Sequence, residues 1–187
     1  VHGHVRELRG ALDTCRAEEV ETIALLGDLF DRHEQADACA AELAGWDVIG
    51  VYGNHEREVA IDAALGMYAL LDDTVRLLST LQEDVVIDGV RFAHEVSHWG
   101  LDDPIARMFG RAPQPNGTSS HDARLTFTGH THHRLARDER GTLDIARGAL
   151  ALDQSRKYLI NPGALIIGQF AIWDRDDDVV YFRNVER

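Results

Sequence analysis

Apolar residues recur at three- and four-residue steps through Val5, Leu8, Leu12 and Cys15, the spacing of one face of an amphipathic helix over residues 4–17. Thr22-Ile23-Ala24-Leu25-Leu26 is a short unbroken apolar run closed by Gly27-Asp28, which predicts a buried strand feeding a loop. A second helix, residues 34–44, leads to a second buried run, Val48-Ile49-Gly50-Val51-Tyr52, closed again by a glycine-led polar turn. Strand, loop, helix, strand, loop is the rhythm of parallel α/β architecture. A third helix is predicted over residues 56–71. The texture then changes to short strands near residues 85–87, 91–94, 125–128, 142–145, 158–160, 169–173 and 179–182, so the second half reads as mostly sheet. Residues 111–121 hold Pro113, Pro115, Asn116, Gly117 and two serines, which predicts an exposed loop able to border a site. The acidic cluster Asp176-Asp177-Asp178 reads as a hairpin turn.

Composition narrows the class. The 187 residues, 44% hydrophobic and 27% charged, suit a single globular domain over residues 1–187. A net charge of −13 argues against an extended nucleic-acid surface or a face that grips an anionic membrane. Two bound dications would still make one pocket locally cationic. Cys15 and Cys39 lack C-x-x-C spacing and are expected to be reduced, packed thiols. No apolar run approaches the roughly 18 residues of a membrane span, and no leader pattern opens the chain, so a cytoplasmic setting is expected. Asn116-Gly117-Thr118 fits a glycosylation pattern but, without a secretory signal, reads as a flexible turn.

Four polar clusters stand where predicted strands end, the position at which open α/β sheets bind ligands. They are Gly27-Asp28-Leu29-Phe30-Asp31-Arg32, Gly53-Asn54-His55-Glu56, His94 after Arg91-Phe92-Ala93, and Gly129-His130-Thr131-His132-His133; His2 makes a fifth position. Imidazole nitrogen mixed with carboxylate and amide oxygen suits manganese, iron, zinc or nickel. Asp28, directly after a glycine at a strand end, is the candidate bridge between two ions. His130 and His132 are two apart, so on an extended segment both can point the same way, one toward each metal. The glycines permit tight turns and close ligand approach. Taken singly, His33, His98 and His121 read as surface residues, while His4 and His133 divide between surface positions and substrate contacts. Gly-Asp alone is commonly a turn or cap; the recurrence of the clusters in one order at strand ends selects the site reading.

The ordered set Gly27-Asp28-x-x-Asp31-Arg32, Gly53-Asn54-His55-Glu56, His94 and Gly129-His130-Thr131-His132 resembles the calcineurin-like metallophosphoesterase superfamily. The likeness spans nearly the whole chain, since Asn161-Pro162-Gly163 and the last strand resemble the closing segment of small bacterial members. It implies a four-layer α/β/β/α sandwich with its site at one end of two facing sheets. It also implies two divalent ions (manganese, iron, zinc or nickel, with manganese the natural choice in vitro): His2, Asp28 and His132 hold the first, and Asp28, Asn54, His94 and His130 the second. His55 then resembles the catalytic histidine, oriented by Asp31, and Arg32 a phosphate-binding residue of the protein-phosphatase-like branch. A metal-bridging hydroxide would attack phosphorus in line, while His55 protonates or hydrogen-bonds the leaving oxygen.

Three departures matter. The family opens with a strand ending in Asp-x-His-Gly whose Asp is a metal ligand; here the chain starts Val1-His2-Gly3, so that strand and its Asp are expected ahead of Val1. Glu95 follows His94 where small bacterial relatives commonly carry glycine, which alters the loop. Arg32 moves the chain from the simplest phosphodiesterase-like members toward phosphatase-like ones. The expected activity is hydrolysis of a phosphomonoester or phosphodiester, with a phosphorylated small molecule or nucleotide as substrate. The alternatives are a phosphoprotein phosphatase, a dinucleoside-polyphosphate hydrolase, or a non-catalytic scaffold of the same fold. A scaffold has no physical need for a converging ligand set, and a nuclease fits poorly with the acidic chain. No oligomeric state is implied.

Overall fold

The computed structural model describes residues 1–95 and 123–185. The loop expected over residues 111–121, with His98 and His121, lies outside them.

The predicted opening is observed. Helix α1 (Val5–Ala17) buries Leu8, Ala11, Leu12 and Cys15, the stripe its spacing dictates. Strand β1 (Thr22–Leu26), helix α2 (His33–Glu42) and strand β2 (Asp47–Val51) follow, and β1 and β2 pair in parallel from Thr22 against Asp47 to Leu26 against Val51. Leu25 is buried, yet Thr22 and Ala24 of β1 are exposed, because β2 is the one strand paired with it among the described residues.

The helix expected over residues 56–71 is two helices. Helix α3 (Asn54–Ala64) stops at Gly66, whose φ is +75°, and α4 (Asp72–Thr80) begins afresh. Between them Tyr68 turns back, stacks on His33 at 3.7 Å between ring centroids and donates its hydroxyl to the Val59 carbonyl at 2.8 Å. The Asp37 carboxylate then accepts hydrogen bonds from Leu71 N and Thr74 Oγ1, which ties the start of α4 to α2.

Strands β3 (Asp84–Ile87), β4 (Val90–Ala93), β5 (Leu125–Thr128), β6 (Leu135–Asp138), β7 (Gly141–Thr142) and β9 (Tyr158–Asn161) form a six-stranded sheet in the order β3-β4-β5-β9-β6-β7. Its middle strands β4, β5 and β9 are parallel, and every residue of β5 and β9 is buried. β9 opens on the apolar run Tyr158-Leu159-Ile160, while β5 alternates Leu125 and Phe127 with the buried Thr126 and Thr128, and both strands are covered on both faces. The two-residue Asp88-Gly89 turn joins β3 to β4 with φ positive at both positions, the hairpin geometry that suits right-handed strand twist. The strand expected over residues 142–145 is shorter than its pattern suggested. Its ladder with β6 is Gly141 and Thr142, with Leu143 N donating once more to Ala136 O at 2.9 Å, and the polar run after His133 concealed β6 itself.

Strands β8 (Ala149–Ala151), β10 (Gln169–Asp174) and β11 (Val179–Asn184) make a third sheet, entered through a 3-10 turn at Leu165–Ile167. The acidic cluster does turn the β10–β11 hairpin, but Asp178 itself is buried and accepts from Arg124, Gln154 and Trp173 Nε1. One apolar core, with Leu12, Leu25, Phe30, Cys39 and Val59, joins the helices to β1. A second, with Val51, Phe92, Phe127, Ile160, Val180 and Phe182, lies between the facing sheets. Helices, small sheets and large sheet therefore stack as layers of the expected α/β sandwich, and the C-terminal ends of β1, β2, β4 and β5 converge at one end.

Candidate metal centre

The candidate groups stand just past the strand ends. Asp28 leaves β1, Asn54 and His55 open α3 after β2, His94 ends β4, and His130 and His132 follow β5. The approach is close. A Cβ on Gly53 would fall 2.1 Å from Asp28 Oδ1, and one on Gly27 2.4 Å from His94 Nδ1, so both glycines let backbone meet ligand side chains. His2, Asp28, His130 and His132 all take left-handed backbone conformations, with φ of 55°, 52°, 63° and 59°. Strained φ values gathered at one place mark a site whose surroundings enforce them.

Two groups of ligand atoms share Asp28: His2, Asp28 and His132, and Asp28, His94 and His130, with the atoms of each group within 4.8 Å of one another. Asp28 Oδ2 lies 3.8 Å from His2 Nε2 and 3.4 Å from His94 Nε2. His2 Nε2 and His132 Nε2 are 2.7 Å apart, and His94 Nε2 and His130 Nδ1 3.2 Å apart.

Outer contacts set the histidine tautomers. A carbonyl or carboxylate oxygen only accepts, so His94 Nδ1 donates to Leu26 O at 2.7 Å and His2 Nδ1 to Asp31 Oδ1 at 2.5 Å. With Nδ1 so engaged, Nε2 is the nitrogen that each ring turns toward the shared Asp28 carboxylate, and His2 Nε2 also meets His132. A carboxylate faced by imidazole lone pairs is an assembly that only positive charge holds together, whether protons on the rings or metal ions. The residues thus fit the divalent ions that the sequence resemblance implies.

The field of the site follows from its charges. Burial pushes the Asp28 carboxyl up, but the hydrogen bond and charge of His94, with the charges of His55 and His2, outweigh it and hold the group at about 2. Burial pulls the His94 imidazole down, while Asp28 and the Leu26 carbonyl more than offset this and leave it raised. His132 is lowered, by burial first and then by His2.

The other expected residues surround this centre. His55 is partly buried; its ring meets that of His2 edge-on at 5.3 Å, its Nδ1 is 3.8 Å from Asp31 Oδ1, and its backbone N–H faces Asp28 Oδ1 at 3.5 Å. Asp31 was expected to orient His55, and its shorter contact is to His2. Arg32 is exposed, capping α2, and Gln35 Oε1 accepts from the backbone N–H of both Asp31 and Arg32 at 3.3 Å. Asn54 is exposed at the first turn of α3, one residue from the Asp28–Gly53 contact. His4 pairs with Glu7 at 3.6 Å, His33 stacks on Tyr68, and His133 is exposed beside His132.

Sequence reasoning missed two supporting residues. Glu56 is 1% exposed and accepts from Asp28, Leu29, Phe30 and Gly53. Asn161, 2% exposed, donates Nδ2 to Gly129 O at 2.7 Å and Thr131 Oγ1 at 3.1 Å, while its Oδ1 accepts from Gly163 N at 2.9 Å. It braces the turn that presents His130 and His132. Position supplied the available signal: Glu56 closes the Gly-Asn-His-Glu run, and Asn161 opens Asn-Pro-Gly at a buried strand end.

Comparisons with known proteins bear on the fold and the family. An uncharacterised protein of Methanocaldococcus jannaschii is 23% identical over 218 residues, covering 100% of this chain and 84% of that one. The crystal structure of a metallophosphoesterase from Sphaerobacter thermophilus superposes with a TM-score of 0.71 at 22% identity, covering 100% of this chain and 85% of that chain. The crystal structure of TT1561 from Thermus thermophilus gives 0.56 at 11% identity, covering 99% of this chain and 95% of that chain. These likenesses establish the α/β fold. The model of the calcineurin-like phosphoesterase superfamily domain matches residues 1–172, and the chain belongs to that superfamily.

Proposed function

We propose that the chain is a binuclear metal-dependent phosphohydrolase that cleaves a phosphomonoester or phosphodiester of a small molecule or nucleotide, in a cytoplasmic setting. The observation that carries this reading is the pair of ligand groups sharing Asp28 at the convergence of four strand ends. When bound, the two ions, manganese, iron, zinc or nickel, would activate water and offset charge on the phosphoryl oxygens. Asp28 would serve both ions, His2 and His132 the first, Asn54, His94 and His130 the second.

The remaining steps belong to side chains. His55 turns Nδ1 toward Asp31, 3.8 Å away, which leaves Nε2 facing the site; with both ring nitrogens protonated, it would protonate or hydrogen-bond the leaving oxygen. Exposed Arg32, with no carboxylate paired to its guanidinium among the described contacts, is free to meet phosphoryl oxygens. That exposed cation also favours a second reading, a phosphoprotein phosphatase or dinucleoside-polyphosphate hydrolase working through the same centre.

The test is metal analysis of the purified protein together with hydrolysis of p-nitrophenyl phosphate and its bis(p-nitrophenyl) diester with added manganese. Near two ions per chain and manganese-dependent turnover are expected, the faster substrate distinguishing monoesterase from diesterase. No bound transition metal and no turnover would replace the enzyme reading with a protein-binding scaffold.

A further inference from the structure

We propose that Glu56 is the positioning residue that assembles the metal centre before any ion binds, by clamping the two loops that carry Asp28 and Asn54-His55. The inference builds on the metal-site reading above, but its first test needs neither metal nor turnover.

The loops leave adjacent parallel strands, β1 and β2, and beyond the last ladder pair, Leu26 against Val51, no further sheet hydrogen bond holds them together. Glu56 takes over at that point. Its Oε2 accepts from Asp28 N at 2.8 Å on one loop and from Gly53 N at 2.7 Å on the other. Its Oε1 accepts from Leu29 N at 2.6 Å and, at a longer 3.4 Å, from Phe30 N. An ionised carboxylate offers about four acceptor sites and no donor, so this side chain is saturated by four peptide N–H groups.

Two features make the arrangement specific to a charged, full-length side chain. Glu56 is the third residue of α3, where the unpaired N–H groups of the first turn and the positive end of the helix favour an anion. It is also 1% exposed, so water cannot replace it as an acceptor for the N–H groups it holds. An amide in its place would present an NH2 group to N–H donors, and aspartate would be one methylene short of spanning both loops.

The consequence for the centre is direct. Asp28 sits at a φ of 52°, and its own N–H is one of the four that Glu56 holds. The clamp therefore stabilises the conformation that aims the Asp28 carboxylate between the histidines, so that ligand geometry does not depend on an ion to create it. Outer groups that orient metal ligands change metal affinity by about 10- to 100-fold when they are removed.

Hydrogen exchange in chelator-treated wild-type protein, followed by NMR, tests the clamp without a variant. The amides of Asp28, Leu29 and Gly53 are expected to exchange slowly and as one group, on the scale of the Leu12 amide within α1. Exchange at the rate of an open loop would overturn the proposal, since the loops would then be ordered by metal. The second test compares Glu56→Gln with Val59→Ala, which thins the same helix's core contact away from the loops. In manganese titrations E56Q is expected to bind about 10- to 100-fold more weakly, whereas V59A, even with an equal loss of Tm, stays near wild type. Equal shifts in the two variants would reduce Glu56 to a stability element and sink the idea. If E56Q does not fold by circular dichroism, the wild-type exchange result alone decides. Neither arm measures turnover, so a chain that binds manganese but cleaves no phosphoester would overturn the proposed function and leave the clamp standing.

Discussion

Asp31 Oδ1 stands 2.5 Å from His2 Nδ1 and 3.8 Å from His55 Nδ1. The carboxylate thus fixes the tautomer of a candidate metal ligand more firmly than it orients the candidate general acid. Asp31→Asn is expected to weaken manganese binding by about 10- to 100-fold, with a smaller loss of kcat once metal is saturating. A titration with manganese, scored by calorimetry and by turnover, checks this; an unchanged Kd with a collapsed kcat would return Asp31 to the service of His55 alone.

Asp28 and His55 are expected to fail differently. Asp28→Asn removes the carboxylate common to both ligand groups, so bound metal and turnover should fall together, turnover by about 100-fold or more. His55→Ala should keep its metal and lose about 100- to 10,000-fold in kcat, the usual contribution of a positioned acid or base. Metal content and kcat measured on the same preparations separate the two, and a D28N protein with two ions and full activity would remove Asp28 from the bridge.

The depressed Asp28 pKa makes a prediction about acid. With a folded value of about 2 and an unfolded value near the ordinary 3.9, Asp28 contributes stability that is fully present above about pH 4. That contribution is lost as pH falls toward 2. In chelator, the stability difference between wild type and Asp28→Asn should therefore shrink over this interval, as read from urea unfolding at each pH. A difference that holds constant would mean that the histidines do not hold the carboxylate ionised.

Asn161→Ala strips the turn bearing His130 and His132 of two donor contacts and leaves buried backbone groups unpaired. A loss of about 1–3 kcal/mol in unfolding free energy is expected, together with weaker metal binding. Asn161→Asp should not rescue, because a carboxylate cannot donate to the Gly129 carbonyl. Urea unfolding and manganese titration of both variants are the check, and an N161D protein indistinguishable from wild type would refute the bracing role.

Much of the centre was legible because its groups sit immediately after strands whose apolar runs are unambiguous. Leu26 to Asp28, Val51 to Asn54 and Thr128 to His130 are all short steps from strand to site, so locating the strands located the candidate ligands. The order of these clusters then carried the family resemblance. What stayed hidden depended on which way a polar side chain turns once the layers have packed. Glu56 reads as one acid among many on a charged helix, yet the structure folds it back under two loops. Asp178 likewise reads as part of a solvated acidic turn and is buried against Arg124 and Trp173. The break between α3 and α4 was masked because apolar residues continue from Leu65 to Leu71 across it, and it shows in the left-handed Gly66 and the Tyr68 contact back to Val59.

The left-handed backbone at His2, Asp28, His130 and His132 subjects these positions to two filters at once. At the candidate ligand positions strong ligation favours imidazole or carboxylate, while a φ near +55° admits chiefly glycine, asparagine, aspartate and histidine. Valine or isoleucine would be rejected by the main chain before any chemistry was lost, so a broad mutational scan would conflate misfolding with inactivation. Asparagine passes the conformational filter but brings neither an imidazole nitrogen nor a negative charge, only a neutral amide oxygen. Asparagine replacements are therefore the scalpel for this centre, separating what the fold demands of each position from what the reaction demands.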